Sequence, residues 1–144
     1  MPEIETQIWM ALKQSVVAAA GALPIAWPTD TVQFVPPTTA GNLLPFIAVG
    51  DTQASIRALI SSTATPETTG ILSLAYVAPL GYTHEWYIQR ASALKSSFPL
   101  DGLSRFQSVC VQWGNGLAVP RVERGYRDSG YYRTPVIIPW RLAA

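Results

Sequence analysis

The sequence predicts an α+β fold: a mostly antiparallel sheet with two helices packed on one face and a C-terminal β-hairpin. Three observations carry that expectation. Residues 3–20 and 83–98 repeat apolar side chains at helical spacing. Several segments between and after them alternate with the period of two that suits a strand. The order is helix, strands, helix, strands, without the strict alternation of a parallel sheet. At 144 residues the chain is expected to form one soluble domain over 1–144.

The first helix opens with Glu3 and Glu5, acids that suit the positive end of a helix. Ile4, Ile8, Leu12 and Val16 recur every four residues; Ala11, Ser15 and Ala19 fall on the same side, with Trp9 at the edge of the stripe. Thr6, Lys13 and Gln14 occupy the opposite arc. Met10 and Val17 sit among them, where water is expected. Gly21 and Pro24 stop the helix.

Residues 24–45 hold five of the twelve prolines and read as an extended, rigid connection with a short strand at 25–27. Residues 44–49 form a second short strand, 50–61 suit a strand or a short helix, and 61–69 read as a polar loop. Residues 70–78 are the clearest strand, with Leu72, Leu74 and Tyr76 on one face and Ser73 and Ala75 on the other; Pro79 and Gly81 end it. The second helix starts at Thr83, a good N-cap, with Glu85 in its first turn. Its core stripe is Tyr87, Ile88, Ala91, Leu94 and Phe98, and Trp86 lies on the far side.

Residues 106–113 alternate as one strand, and Asn115-Gly116 is a turn signal. Residues 117–126 and 131–141 read as a hairpin around Asp128-Ser129-Gly130. Val136, Ile138 and Trp140 share its inward face, Arg133 and Arg141 its outward one. Pro135 and Pro139 cannot donate ladder hydrogen bonds, which places that strand at a sheet edge.

Composition narrows the function classes. Charged residues make up 13% of the chain against a usual share of about 25%, so much of the surface must be neutral or apolar, as on a protein covered by neighbours. The net charge of +1 gives no overall field for nucleic acid or anionic lipid. Between 121 and 141, however, five arginines stand against Glu123 and Asp128, a local net +3, while the rest carries −2. The start, MPEIETQIW, does not read as a signal peptide, and the apolar runs fall short of the ~20 residues of a spanning helix, so no membrane contact is expected. A single cysteine excludes an internal disulfide and points to a reducing interior.

Little chemistry is legible. Cys110 and His84 are the only residues of their types, so no His or Cys metal cage can form, and their simplest readings are a small half-buried hydrophobe and a first-turn helix residue. The nine carboxylates are scattered, and no phosphate-binding or nucleophile motif occurs. No enzymatic activity, cofactor or metal is expected. Residues 121–133, RVERGYRDSGYYR, mix arginine and tyrosine, which suits a protein interface, a plain solvated hairpin or a single-stranded nucleic acid. Tyr126, Asp128, Tyr131, Tyr132 and Arg133 are therefore candidate interface residues. Met10, Val17 and Trp86 form a second candidate group; a partner or a further layer of the same chain would cover them equally well.

RDSGYYRTPVIIPWRL, Arg127 to Leu142, resembles the closing hairpin of bacteriophage tail terminator proteins: an acid-glycine turn, an aromatic, an arginine, then a strand ending Pro-Trp-Arg. Thr69-Gly70-Ile71-Leu72 through Val77, Pro79 and Gly81 resembles that family's central strand and the bend into its second helix, which ends in Phe98-Pro99 as theirs do. Residues 50–68 depart from the pattern. The resemblance implies a ring homo-oligomer, typically hexameric, that caps the last ring of tail-tube protein, stops polymerisation and meets the head–tail connector protein. It implies a place in the virion tail, assembled in the host bacterial cytoplasm, with no specific nucleic-acid binding. The rival readings are another connector or tube component, weakened by the few strands expected, and a small nucleic-acid-binding module using residues 121–133.

Overall fold

A computed structural model describes residues 4–28, 34–50, 53–57, 67–114 and 118–143. In chain order the elements are α1 (Ile4–Ala20), β1 (Ile25–Ala26), β2 (Thr38–Thr39), β3 (Asn42–Leu43), β4 (Phe46–Val49), β5 (Gln53–Arg57), β6 (Glu67–Pro79), α2 (His84–Lys95), β7 (Leu103–Phe106), β8 (Val109–Trp113), β9 (Arg121–Val122), β10 (Tyr126–Asp128) and β11 (Tyr131–Leu142). The α+β class is as expected. Among the described residues nine strands form one sheet, in the order β1-β4-β6-β11-β8-β7, with β5 on β6 and β9 and β10 on β11; β2 and β3 pair separately. Every ladder is antiparallel except β1 with β4.

The long β6–β11 ladder organises the molecule, pairing Thr69 with Arg141 at one end and Pro79 with Tyr131 at the other. Directly opposed residues point to the same side of the sheet. One side therefore carries Leu72 with Ile138 and Leu74 with Val136, all buried. These join Ile8, Leu12 and Val16 of α1 and Tyr87, Ala91 and Leu94 of α2 in one apolar cluster. Trp140 is fully buried in it, and Phe98 packs edge-to-face on Trp113 at 4.9 Å. Removing such surface from water is the main stabilising term, about 25 cal/mol per Å².

The helix ends follow local chemistry. Gly21 adopts φ +60°, a left-handed C-terminal stop for α1. The Thr83 hydroxyl accepts from the Trp86 N–H at 3.2 Å and caps α2. Two buried polar residues then tie α1 to β7 and β8. The Ser104 hydroxyl donates to the Ala11 carbonyl at 2.8 Å and accepts from Ser15 Oγ at 2.8 Å and Gln14 Nε2 at 3.0 Å. Gln7 Oε1 accepts from the Ser108 N–H at 3.1 Å and its hydroxyl at 2.7 Å.

Several expectations are corrected. β11 lies at the centre of the sheet, with β6 along one side and β10, β9 and β8 in succession along the other. The prolines fit because their carbonyls face away from β6, that of Pro135 accepting from the Glu123 N–H at 2.9 Å and that of Pro139 from the Gly114 N–H at 2.7 Å. In an antiparallel pair N–H and C=O of one residue point the same way. Each missing donor therefore faces the interrupted side, and the β6 ladder loses nothing.

Residues 106–113 are two strands, not one. Gln107, at φ +52°, and Ser108 turn the chain between β7 and β8, and Gln7 holds that turn. Ile88 is 40% exposed instead of belonging to the core stripe, because α2 turns Tyr87 inward and seats its hydroxyl on the Pro79 carbonyl at 2.6 Å. Residues 67–69 belong to β6 instead of a polar loop, while its other end falls at Pro79, as expected. The first arm of the hairpin is broken into β9 and β10 by residues 123–125. Within 50–61, residues 53–57 are a strand, and the 24–45 connection carries the small β2–β3 ladder. Glu3, residues 29–33, 51–52, 58–66 and the Asn115-Gly116 signal lie outside the described residues.

Candidate functional site

The structure splits the hairpin group between the two sides of the sheet. Tyr126, Asp128, Tyr131 and Arg133 share the side turned away from the helices, since Tyr126 opposes Arg133 and Asp128 opposes Tyr131. Asp128 Oδ2 accepts from Arg133 Nε at 2.7 Å, an ion pair across the turn. Tyr126 is 52% exposed. Tyr131 is half-buried and sets its ring edge-on to Phe46 at 5.6 Å, which in turn meets Phe34 at 4.9 Å. Tyr132 points to the opposite side and tilts onto Tyr87 at 4.4 Å.

The helix group divides differently. Val17 is half-exposed on α1, and Met10 is half-buried. Trp86 is half-buried in a cluster of its own chain: Tyr82 stacks on it at 3.8 Å, Arg90 lies over its ring at 5.1 Å, and Tyr76 and Tyr87 meet it edge-on. Tyr87 links Trp86 to Tyr132, so one aromatic chain runs from α2 to the hairpin. Burial pushes the Tyr76 hydroxyl above its ordinary 10.0, with Arg90 pulling it back and Tyr82 adding to the rise.

Two openings flank this chain. One, of about 510 Å³, lies at the start of α2 against His84, Ile88, Val122, Arg124, Tyr132 and Thr134. The other, of about 280 Å³, lies between the helices, with Ile47, Tyr76 and Arg90 among its lining. Cys110 lines neither: it sits half-buried on β8 opposite Arg105, while His84 is exposed at the head of α2 beside the first opening. Among the described residues no three His, Cys, Asp or Glu side chains gather as a metal site, and no helix is long and apolar enough to cross a membrane. The arrangement offers surface for binding, with aromatic and arginine side chains held in place by packing.

Sequence reasoning missed Gln7 and Ser104, whose polar side chains stand on or beside a face read only for its apolar spacing. It also missed the second side of the sheet, although β6 and β11 alternate apolar residues on both sides, as Ile71, Ala75, Pro135 and Ile137 show.

The sequence matches a family described as "Phage tail terminator protein" over residues 7–140. No curated protein matches it. Four solved chains match the structure. One, without a descriptive name, is 19% identical with a TM-score of 0.59, over 98% of this chain and 94% of its own. Another comes from the virion of a native gene transfer agent particle, 9% identical with a TM-score of 0.54, over 98% of this chain and 95% of its own. At such identities these likenesses speak for the fold alone.

Proposed function

Because this chain belongs to the phage tail terminator protein family, whose members are structural tail proteins, we propose that it forms a ring that closes the end of the tail tube. The ring, a hexamer in this reading, stops addition of further tube protein and presents a surface to the head–tail connector. The whole of 1–144 acts as one tail-terminator-like domain, made in the bacterial cytoplasm and kept in the virion. The observation that carries the reading is the family match across 7–140.

The physical mechanism is binding free energy without turnover. A closed ring repeats one heterologous interface, so each subunit offers two different patches to its neighbours and two axial surfaces to tube and connector. The low charge content and half-exposed Val17 and Tyr126 suit such surfaces. Tyr126, Asp128, Tyr131 and Arg133, which share one side of the sheet, belong to one of them, with Tyr132 bracing the hairpin from the other side; Met10, Val17 and Trp86 belong to another. The family match also favours this over the nucleic-acid module. The rival tube or connector component keeps one argument: nine strands in the main sheet remove the objection that strands are few.

Native mass measurement with negative-stain imaging tests the proposal. The expected result is a closed ring, of six copies in this reading, alone or on tail tubes. A strict monomer that ignores tubes would defeat it.

A further inference from the structure

The side of the sheet turned away from the helices, which holds Tyr126, Asp128, Tyr131 and Arg133 at its hairpin end, continues along β6 and β11 into a surface beyond either candidate group. Strand pairing places Ile71 and Ala75 of β6 there, beside Pro139 and Pro135 of β11, with Ile137 next to Ser73. A solvated antiparallel sheet puts polar side chains on its open side. Here Ile71 is 40% exposed, and Ala75, Pro135 and Ile137 are only half-buried. The aromatic packing of Phe34 reaches Phe46 and, through it, Tyr131, at one end of this side.

Arginines border the strip. Register puts Arg105, Arg121, Arg133 and Arg141 on this same side, four of the ten basic residues. Arg121 pairs with Glu123 at 2.6 Å and Arg133 with Asp128 at 2.7 Å. The other two have no carboxylate partner among the described residues. Arg141 Nε donates to the neutral Gln112 Oε1 at 3.3 Å, and Arg105 is exposed. An apolar centre with an arginine border is the composition of a protein interface.

We propose that this open side docks a protein surface with an apolar centre and a carboxylate border, carried by the tail-tube protein. The choice of the tail-tube protein rests on the tail reading above. Charge decides between occupants. Two copies meeting through the same side would set arginines against arginines, which removes a symmetric pair. A nucleic acid would satisfy the arginines but leave Ile71 and Ile137 against sugar and phosphate.

Co-sedimentation with purified tail tubes of the encoding virion, at low and high salt, tests the docking. Arg105→Glu with Arg141→Glu should weaken tube binding by about tenfold or more, and wild-type binding should itself weaken with salt. Ile71→Lys, at an exposed position, should weaken it with the melting temperature unchanged. Variants that bind as wild type does overturn the docking side alone. A wild-type protein that ignores tubes overturns the tail reading and this occupant with it. Variants that lose self-association but keep tube binding assign the side to a second copy. Lost affinity for a duplex DNA probe with tube binding intact assigns it to nucleic acid, and either result overturns the proposal.

Discussion

Tyr132 rests against the backbone of Gly125: a Cβ at that glycine would fall 2.3 Å from the ring's Cε2 and 2.7 Å from its hydroxyl oxygen. The same ring tilts onto Tyr87. The segment between β9 and β10 is thereby tied to α2 through one tyrosine, and glycine is needed there for closeness, not for its backbone angles.

Gly125→Ala should therefore destabilise the fold by about 1–3 kcal/mol, the usual cost of overpacking a close contact. Urea unfolding measures it. The penalty should shrink in a Tyr132→Leu background, since neighbours that share a contact do not add. Equal penalties in both backgrounds would show that the ring is not what the methyl group meets.

Ser104→Ala should cost about 1–2 kcal/mol, because one buried hydroxyl serves the Ala11 carbonyl, Ser15 and Gln14 at once. Amide exchange should rise first in β7 and the facing turns of α1. An unchanged melting curve would mean that water replaces the hydroxyl fully.

Thr134→Val should raise stability by about 1 kcal/mol. Thr134 is 1% exposed, and its hydroxyl has no hydrogen-bond partner among the described residues. Valine keeps the shape and discards an unpaired polar group. A loss of stability would reveal a bond partner for that oxygen.

Tyr76 should make the fold sensitive to alkali. Its raised pKa means that the folded state holds the proton more tightly than the unfolded chain. Below the ordinary value of 10.0 both states are protonated and the contribution is constant. Above it the unfolded chain ionises first, so stability falls as pH rises. Tyr76→Phe should flatten that alkaline limb in pH-dependent melting; identical limbs would contradict the burial effect.

Both helices were legible because their signals are local: apolar spacing of three and four, Gly21 as a stop, Thr83 as a cap. The buried series Leu72, Leu74, Tyr76 and Val136, Ile138, Trp140 was legible from alternation alone. What escaped was whatever depends on pairing. Proline on a strand signals an edge, but the direction of its missing donor is set by register with β6. The Gln107–Ser108 turn has no glycine or asparagine, and its support comes from Gln7, a hundred residues away in the chain. Ile88 and Tyr87 are neighbours on a helical wheel, and only the docking of α2 decides which of them turns inward.

The candidate surfaces were legible in kind more than in place. Tyrosine and arginine marked the hairpin, but Tyr131 and Tyr132 lie on opposite sides of the sheet, as neighbours on a strand must. The open side with Ile71 and Ile137 gave no signal until β6 and β11 were seen to be adjacent.

Pro135 and Pro139, four residues apart on β11, also act as a key against misalignment. Sliding the strand by one position would turn both donorless nitrogens towards β6, stranding carbonyls in the middle of the longest ladder and turning Trp140 out to solvent. The same two rings that look like flaws in a central strand thus make every odd-numbered shift costly. A chain that must present an identical shape in every copy gains a single permitted alignment from them.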